Sequence, residues 1–303
     1  GGTVANTINF TVNTGATLML GTSLLGNGSS GTFTLASGGT LGIGDPAGIT
    51  TSGATGNIRV TGTRTYNTGA NYIYNGTVPQ VPGNGLPATV NDLMAANAAG
   101  LTVNSTNTVS GTCTVSPGGL LLGTGRINNG PLILSGAVAP GVGVGRFTTA
   151  RETWNGGASY NWEINNATGT PATGWDLLSL TNGQGIDLQS ATTNPFTLKL
   201  ITLNGGSPGL AANFSKANSY LWTIVIATNA TVTNFSADKF VIDPTQFSND
   251  FGGGTFSVEL SGSDLRLKFA AEPSGLTIDT TSLPNGSQNV AYAATLPASL
   301  TSW

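Results

Sequence analysis

Residues 111–145 read GTCTVSPGGLLLGTGRINNGPLILSGAVAPGVGVG. The apolar runs here, Val115, then 120–122, then 132–134, are broken every few residues by Gly, Pro or Asn. None is long enough for a helix, which needs about 10 residues or more of sustained 3.6-residue period. Short apolar segments bounded by turn formers are the pattern of short strands joined by tight corners. The stretch predicts coiled β-structure, and an all-β chain around it.

The flanks agree. Residues 1–56 alternate Thr or Asn with apolar positions, as in Ile8-Asn9-Phe10-Thr11-Val12 and Thr32-Phe33-Thr34-Leu35, which puts one set on each face of a strand. Further on, Ile58 and Val60 share a face, as do Tyr72 and Tyr74, and Asn75-Gly76 and Asn84-Gly85 are turn signals. Residues 87–99 contain the helix formers Ala and Met, but their apolar positions lack a sustained helical period, so strand is expected there too. Asn-Gly pairs at Asn129, Asn155, Asn182 and Asn204 recur at intervals of roughly 20 to 30 residues, the length of a β-helix coil of three strands and three corners. Stacked coils would line up Thr and Asn ladders on their faces.

Beyond residue 203 the texture is more apolar. LWTIVI at 221–226 reads as a buried strand, and 256–260 with 265–269 as an antiparallel hairpin across 261–264. Its inner face would carry Phe256, Val258, Leu260, Leu265, Leu267 and Phe269. Asp243-Pro244 has the form of a helix start, an N-cap acceptor followed by proline, and predicts one helical turn over 245–249.

Two further stretches carry resemblances. Tyr72 to Gly76, Gln80 to Leu93 and Asn97 to Val103 resemble repeats of large surface proteins of environmental Gram-negative bacteria. From residue 111 to about 203 the chain resembles the autotransporter-associated β-strand repeat proteins, through Gly123-Thr124-Gly125-Arg126-Ile127, Val138-Ala139-Pro140-Gly141, Ser159-Tyr160-Asn161-Trp162-Glu163-Ile164 and Gly174-Trp175-Asp176-Leu177-Leu178. Arg146, Arg151 and Glu152 depart from that pattern, where small uncharged residues are commoner. Residues 281–286 and 290–296 resemble the first two strands of bacterial immunoglobulin-like modules, cut short, since such a sandwich needs about 100 residues. These resemblances imply a secreted, extracellular or cell-surface location.

Composition narrows the function classes. The 303 residues include 45 Gly and only 8% charged residues, with a net charge of −3 and 38% hydrophobic residues. That hydrophobic share with small net charge belongs to a folding chain rather than a disordered one. Its ten cations are scattered singly, which offers no footprint for nucleic acid. No apolar run approaches the roughly 20 residues of a membrane span. The chain opens on Gly-Gly without Met, as a processed product or fragment would.

There is no histidine, which removes histidine-dependent triads and metal sites. The lone cysteine, Cys113, excludes an intrachain disulfide and reads as a small buried apolar group. Gly26, Gly28 and Gly31 satisfy G-x-G-x-x-G, but no helix follows, so the segment is a turn. For a β-helix polysaccharide lyase or glycosidase, two carboxyls about 5 to 10 Å apart are required. Of Asp45, Asp92, Glu152, Glu163, Asp176 and Asp187, the best pair is Glu163 and Asp176, with Glu163 expected to face solvent. Asp238, Asp243 and Asp250 share a loop region but fit no calcium-loop spacing. Trp154, Tyr160, Trp162 and Trp175 form the densest aromatic group, a candidate for stacking on sugars; Tyr160 and Trp162 share the parity of Ile164, which favours core filling instead.

The expected architecture is a right-handed parallel β-solenoid (β-helix) over 1–203, a C-terminal antiparallel β cap over 204–271, and a linker with incomplete immunoglobulin-like strands over 272–303. Eight to ten coils at about 4.8 Å each would span roughly 40 to 50 Å. The expected role is non-catalytic and structural, a stalk, adhesin segment or fibre subunit, without cofactor or metal. A carbohydrate-binding module that recognises surface glycans is the alternative. Two isolated strands are marginal in water, so the tail, through Leu276, Ile278, Val290, Tyr292, Leu296 and Trp303, is expected to add strands to another copy of the chain.

Overall fold

In the computed structural model, residues 7–181 and 183–273 are described, together with the backbone of two short strands, Thr277–Ile278 and Ala298–Ser299. The chain is all-β, with a single 3-10 turn at Ala237–Lys239 as its only described helical element. Sheets of 8, 9 and 7 strands run through the molecule, and a smaller sheet of 3 strands serves the N-terminal part.

The chain visits these sheets in rotation. Thr89–Val90, Leu93–Ala95 and Leu101–Thr102 enter the 8-, 9- and 7-stranded sheets in turn, and Thr106–Val109, Cys113–Val115 and Leu120–Gly123 pair parallel beside them. Arg126–Asn129, Leu132–Leu134 and Ala137–Pro140 make the next round, followed by Arg146–Thr149, Glu152–Trp154 and Ser159–Ile164. Side-chain rungs between rounds measure the step: Asn155 Nδ2 donates to Ser135 Oγ at 2.8 Å and the Thr124 N–H to Asn104 Oδ1 at 3.0 Å, each across 20 residues. The Asn-Gly markers do not mark one corner. Asn129 ends a strand of the 8-stranded sheet, Asn155 follows one of the 9-stranded sheet and Asn204 ends one of the 7-stranded sheet; Asn182 lies outside the described residues.

Alternation decides which side chains enter the core. In the 9-stranded sheet Tyr72, Leu93, Cys113, Leu132, Glu152 and Ile186 stand one above another on the inner face, all buried. Each buried aliphatic side chain of such a column contributes about 1.5–3 kcal/mol. The neighbouring outer column, with Met94, Thr114, Ile133 and Thr153, is only partly covered. Tight corners let the strands be this short. At Gly123, φ is +119° and a Cβ would stand 2.2 Å from the Val103 carbonyl oxygen, so only glycine fits.

Parallel pairing expected to end near residue 203 continues past it. Tyr220–Ile226, Val232–Thr233 and Phe240–Gln246 each add parallel to a strand of the preceding round. The longest antiparallel structure is the hairpin of Thr255–Ser261 and Asp264–Ala270, which extends the 8-stranded sheet from Tyr220–Ile226; a short antiparallel pair also joins Phe196–Asn204 to Ser207–Pro208. In that hairpin Val258, Leu265, Leu267 and Phe269 are buried, Phe256 is partly covered, and Leu260 is exposed.

The helical turn expected over 245–249 is absent. Phe240–Gln246 is a strand paired with Phe196–Asn204, its register shifting between Lys199 and Ile201, and the Asp243 carboxylate accepts the Thr245 N–H at 3.0 Å. The acceptor thus caps an irregular strand, where proline's missing N–H is tolerated. Of the tail, only the antiparallel pair Thr277–Ile278 with Ala298–Ser299 is described. Leu276, Val290, Tyr292, Leu296 and Trp303, with the strands expected at 281–286 and 290–296, lie outside the described residues, as does the Ile278 side chain.

Candidate functional site

The aromatic group lies inside the molecule. Trp154, Tyr160 and Trp162 are 0% exposed and Trp175 7%. Ser159–Ile164 turns Tyr160, Trp162 and Ile164 to the same inner face, and each polar ring atom finds a partner there. Tyr160 Oη donates to the Ile224 carbonyl at 3.3 Å, Trp162 Nε1 to the Asp176 carbonyl at 3.0 Å, and Trp175 Nε1 to the Thr223 carbonyl at 3.0 Å. Trp154 stacks on Phe196 at 4.3 Å between centroids and donates to Glu152. Covered rings offer no face to a sugar, so this group is core, not a stacking platform.

The carboxyls are also drawn into structure. Asp176 is 0% exposed, and its two oxygens accept the N–H groups of Gly145 at 2.7 Å and Glu163 at 3.0 Å. Burial, reinforced by the neighbouring Glu163 charge, pushes its carboxyl well above the usual carboxylate range. Glu163, expected to face solvent, is partly buried, raised by desolvation, and hydrogen-bonded to the Gly143 backbone. Together the two residues tie the 141–145 loop to the wall beneath it, leaving Val142 80% exposed at its tip. They do not present two carboxyls to a common opening.

Glu152 is the one charged residue type in its inner column. Its oxygens accept from Thr149 Oγ1 and Trp154 Nε1, and desolvation raises its carboxyl against both bonds. Two layers down the same column, beyond Leu132, Cys113 is buried, and desolvation followed by the Glu152 charge pushes its thiol up to about 12. Because the thiolate is the reactive form, Cys113 is expected to resist iodoacetamide at neutral pH and to react at the rate of a free thiol in urea. Mass spectrometry of alkylated protein reads both states, and rapid native labelling would count against this packing.

Asp238, Asp243 and Asp250 serve separate local bonds, to Ser236, to Thr245, and to Lys216 and Gly252. Among the described residues no group of three or more His, Cys, Asp or Glu converges on one point. Buried amides, unsuspected from the sequence, do more. Gln80 donates to the Ile43 and Asp45 carbonyls and accepts from the Gly76 N–H and Asn97 Nδ2, while Asn57 joins Gly44 and Asp45 to the Gly21 and Ser23 carbonyls. Gln80 and Asn97 belong to the motif of residues 80–103, and each holds a loop rather than a ligand.

Clefts lined by described residues include two of note. One encloses about 460 Å³ beside Asn27, Gly28, Gly53, Arg59 and Arg64. Its arginines are committed: Arg64 donates to the Val60, Thr50 and Gly53 carbonyls and to Thr50 Oγ1, and Arg59 donates to the Gly56 carbonyl and pairs with Asp45 at 3.4 Å. The other encloses about 430 Å³ and is lined by Arg126, Asn128, Asn129, Ala150, Thr181 and Gln184. It lies where successive strands of the 8-stranded sheet run into their corners. No protein-family model matches the chain, and a search of curated proteins finds no significant match.

Proposed function

We propose that the chain is a non-catalytic extracellular structural protein, a right-handed parallel β-solenoid serving as a stalk, adhesin segment or fibre subunit of the autotransporter-associated repeat kind. The observation that carries this reading is the rotation of the chain through three sheets whose inner columns are filled, layer on layer, by buried side chains. Parallel connections of this type are right-handed in nearly all known cases. The 9-stranded sheet at about 4.8 Å per layer gives a stack of roughly 40 Å. Backbone-to-backbone stacking of this kind resists pulling along its length through many bonds at once, which suits a spacer. The extracellular setting is supported by the low charge and the surface ladders of Thr and Asn. Strands paired on one side only, Phe10–Val12 and Thr255–Ser261 among them, are edges to which strands of another copy can add.

Imaging tests the reading. Negative-stain electron microscopy with small-angle X-ray scattering is expected to give unbranched rods, or filaments whose width matches one rod. One stack of roughly 40 Å is no longer than a globular chain of this length is wide, about 50 Å, so end-to-end assembly decides: particles that stay single at every concentration would overturn the fibre reading.

A further inference from the structure

The 430 Å³ cleft at Arg126 differs from the cleft at Arg64 in having uncommitted polar groups. Strand alternation turns Arg126 and Asn128 outward while Ile127 is buried. Arg126 stands beside Thr148, which stands beside Ser179, so this outer face continues across three layers. Arg146 lies two residues along the same strand as Thr148 and therefore on the same face. Arg151 follows Ala150 at the edge of the cleft and is exposed.

Both ion pairs among the described residues lie elsewhere, Arg59 with Asp45 and Lys216 with Asp250. No carboxylate lines the cleft, and the side chains of Arg126, Asn128, Asn129, Thr181 and Gln184 make no hydrogen bond among the described residues. The Arg126 guanidinium thus lines the cleft without counter-charge. Amides and the Thr181 hydroxyl surround it at a volume within the range of small-ligand sites, about 300–1,000 Å³.

We infer that this cleft binds an acidic polysaccharide, with Arg126 on the carboxylate of a uronic acid residue and Asn128, Asn129, Thr181 and Gln184 on the ring hydroxyls. Guanidinium matches carboxylate geometry in a planar fork, and amides supply both donors and acceptors for hydroxyls. The absence of an aromatic ring from the lining disfavours nucleic acid, whose single strands need stacking platforms. The cleft crosses layers rather than ending in one, which suits a segment of polymer.

Calorimetric titration of the whole chain with tetragalacturonate, maltotetraose and a short single-stranded DNA tests this. Binding is expected for tetragalacturonate alone, weakening as salt is raised. Arg126→Gln is expected to lower the affinity about tenfold, the value of a lost charge-assisted hydrogen bond, without moving the unfolding midpoint. Asn128→Ala is expected to weaken it less. Lys268→Gln, which removes an exposed charge on the C-terminal hairpin, is expected to leave it unchanged. No binding of the acidic glycan, equal binding of maltotetraose or DNA, or an affinity indifferent to Arg126→Gln would each overturn the assignment. The rod reading stands or falls separately, by imaging.

Discussion

Trp154→Ala is expected to destabilise the protein by about 5 kcal/mol. Truncating a buried Trp costs about 3–5 kcal/mol through lost burial and the cavity left behind. Here the indole also stacks on Phe196 and meets Tyr160 and Phe240 edge-on. Its N–H is one of two donors to a carboxyl with no exposure, and stranding that group adds about 1–3 kcal/mol. Trp154→Phe separates the parts, since it keeps a stacked ring and loses only the donor, so about 1–3 kcal/mol is expected. Urea unfolding followed by circular dichroism gives the midpoints. In a stack of layers each contacts mainly its neighbours, so hydrogen exchange should accelerate first in Glu152–Trp154, Ile186–Leu188 and Phe196–Asn204. An unshifted midpoint for the Ala variant would mean that this ring is not part of the core.

How far the sequence announces all this depends on the scale of the pattern. Alternation and turn chemistry are local, and they read correctly. The hairpin pairs Phe256 with Phe269 and Val258 with Leu267 across the expected turn, and the strand Leu93–Ala95 forms where a helix competed. The glycines at 26, 28 and 31 each take positive φ, as a turn requires. Non-local partners were not legible. Asp243-Pro244 has the chemistry of a helix start, but pairing with Phe196–Asn204 claims the segment first. Glu163 points away from Tyr160 by parity, yet the 141–145 loop folds over it, and nothing in the local sequence foretells the lid. The Arg126 cleft is invisible for the same reason. Its lining residues come from three rounds of the chain, and a single arginine such as Arg126 looks unremarkable until stacking brings the amides of other rounds beside it.

Stability is expected to fall as pH rises from acid to alkaline, the reverse of a protein held together by surface carboxylates. In the unfolded chain the Glu152 carboxyl titrates at its ordinary value, about 4.5, whereas burial raises it in the fold. The folded state therefore binds the proton more tightly. Its contribution is fully present below the unfolded value and is lost as pH climbs through the folded one. Each tenfold gain in proton affinity on folding is worth about 1.4 kcal/mol. Asp176, buried and raised beside Glu163, acts in the same direction. Asp187, Asp243 and Asp250 are lowered by hydrogen bonds and act oppositely, but they lie at the surface, where solvent screens such effects. Glu152→Gln isolates one of the two buried carboxyls. Its amide oxygen can accept from Trp154 while its NH₂ donates to Thr149 Oγ1, so the packing is kept and the titration removed. The variant is expected to melt higher than the parent at about pH 8, where the parent must bury a charge or hold a costly proton. At about pH 4 the two should melt together, and the slope between should flatten. Scanning calorimetry across that range decides it: a variant less stable than the parent at alkaline pH would show that the ionised carboxylate, with its two donors, is the form the core was built to hold.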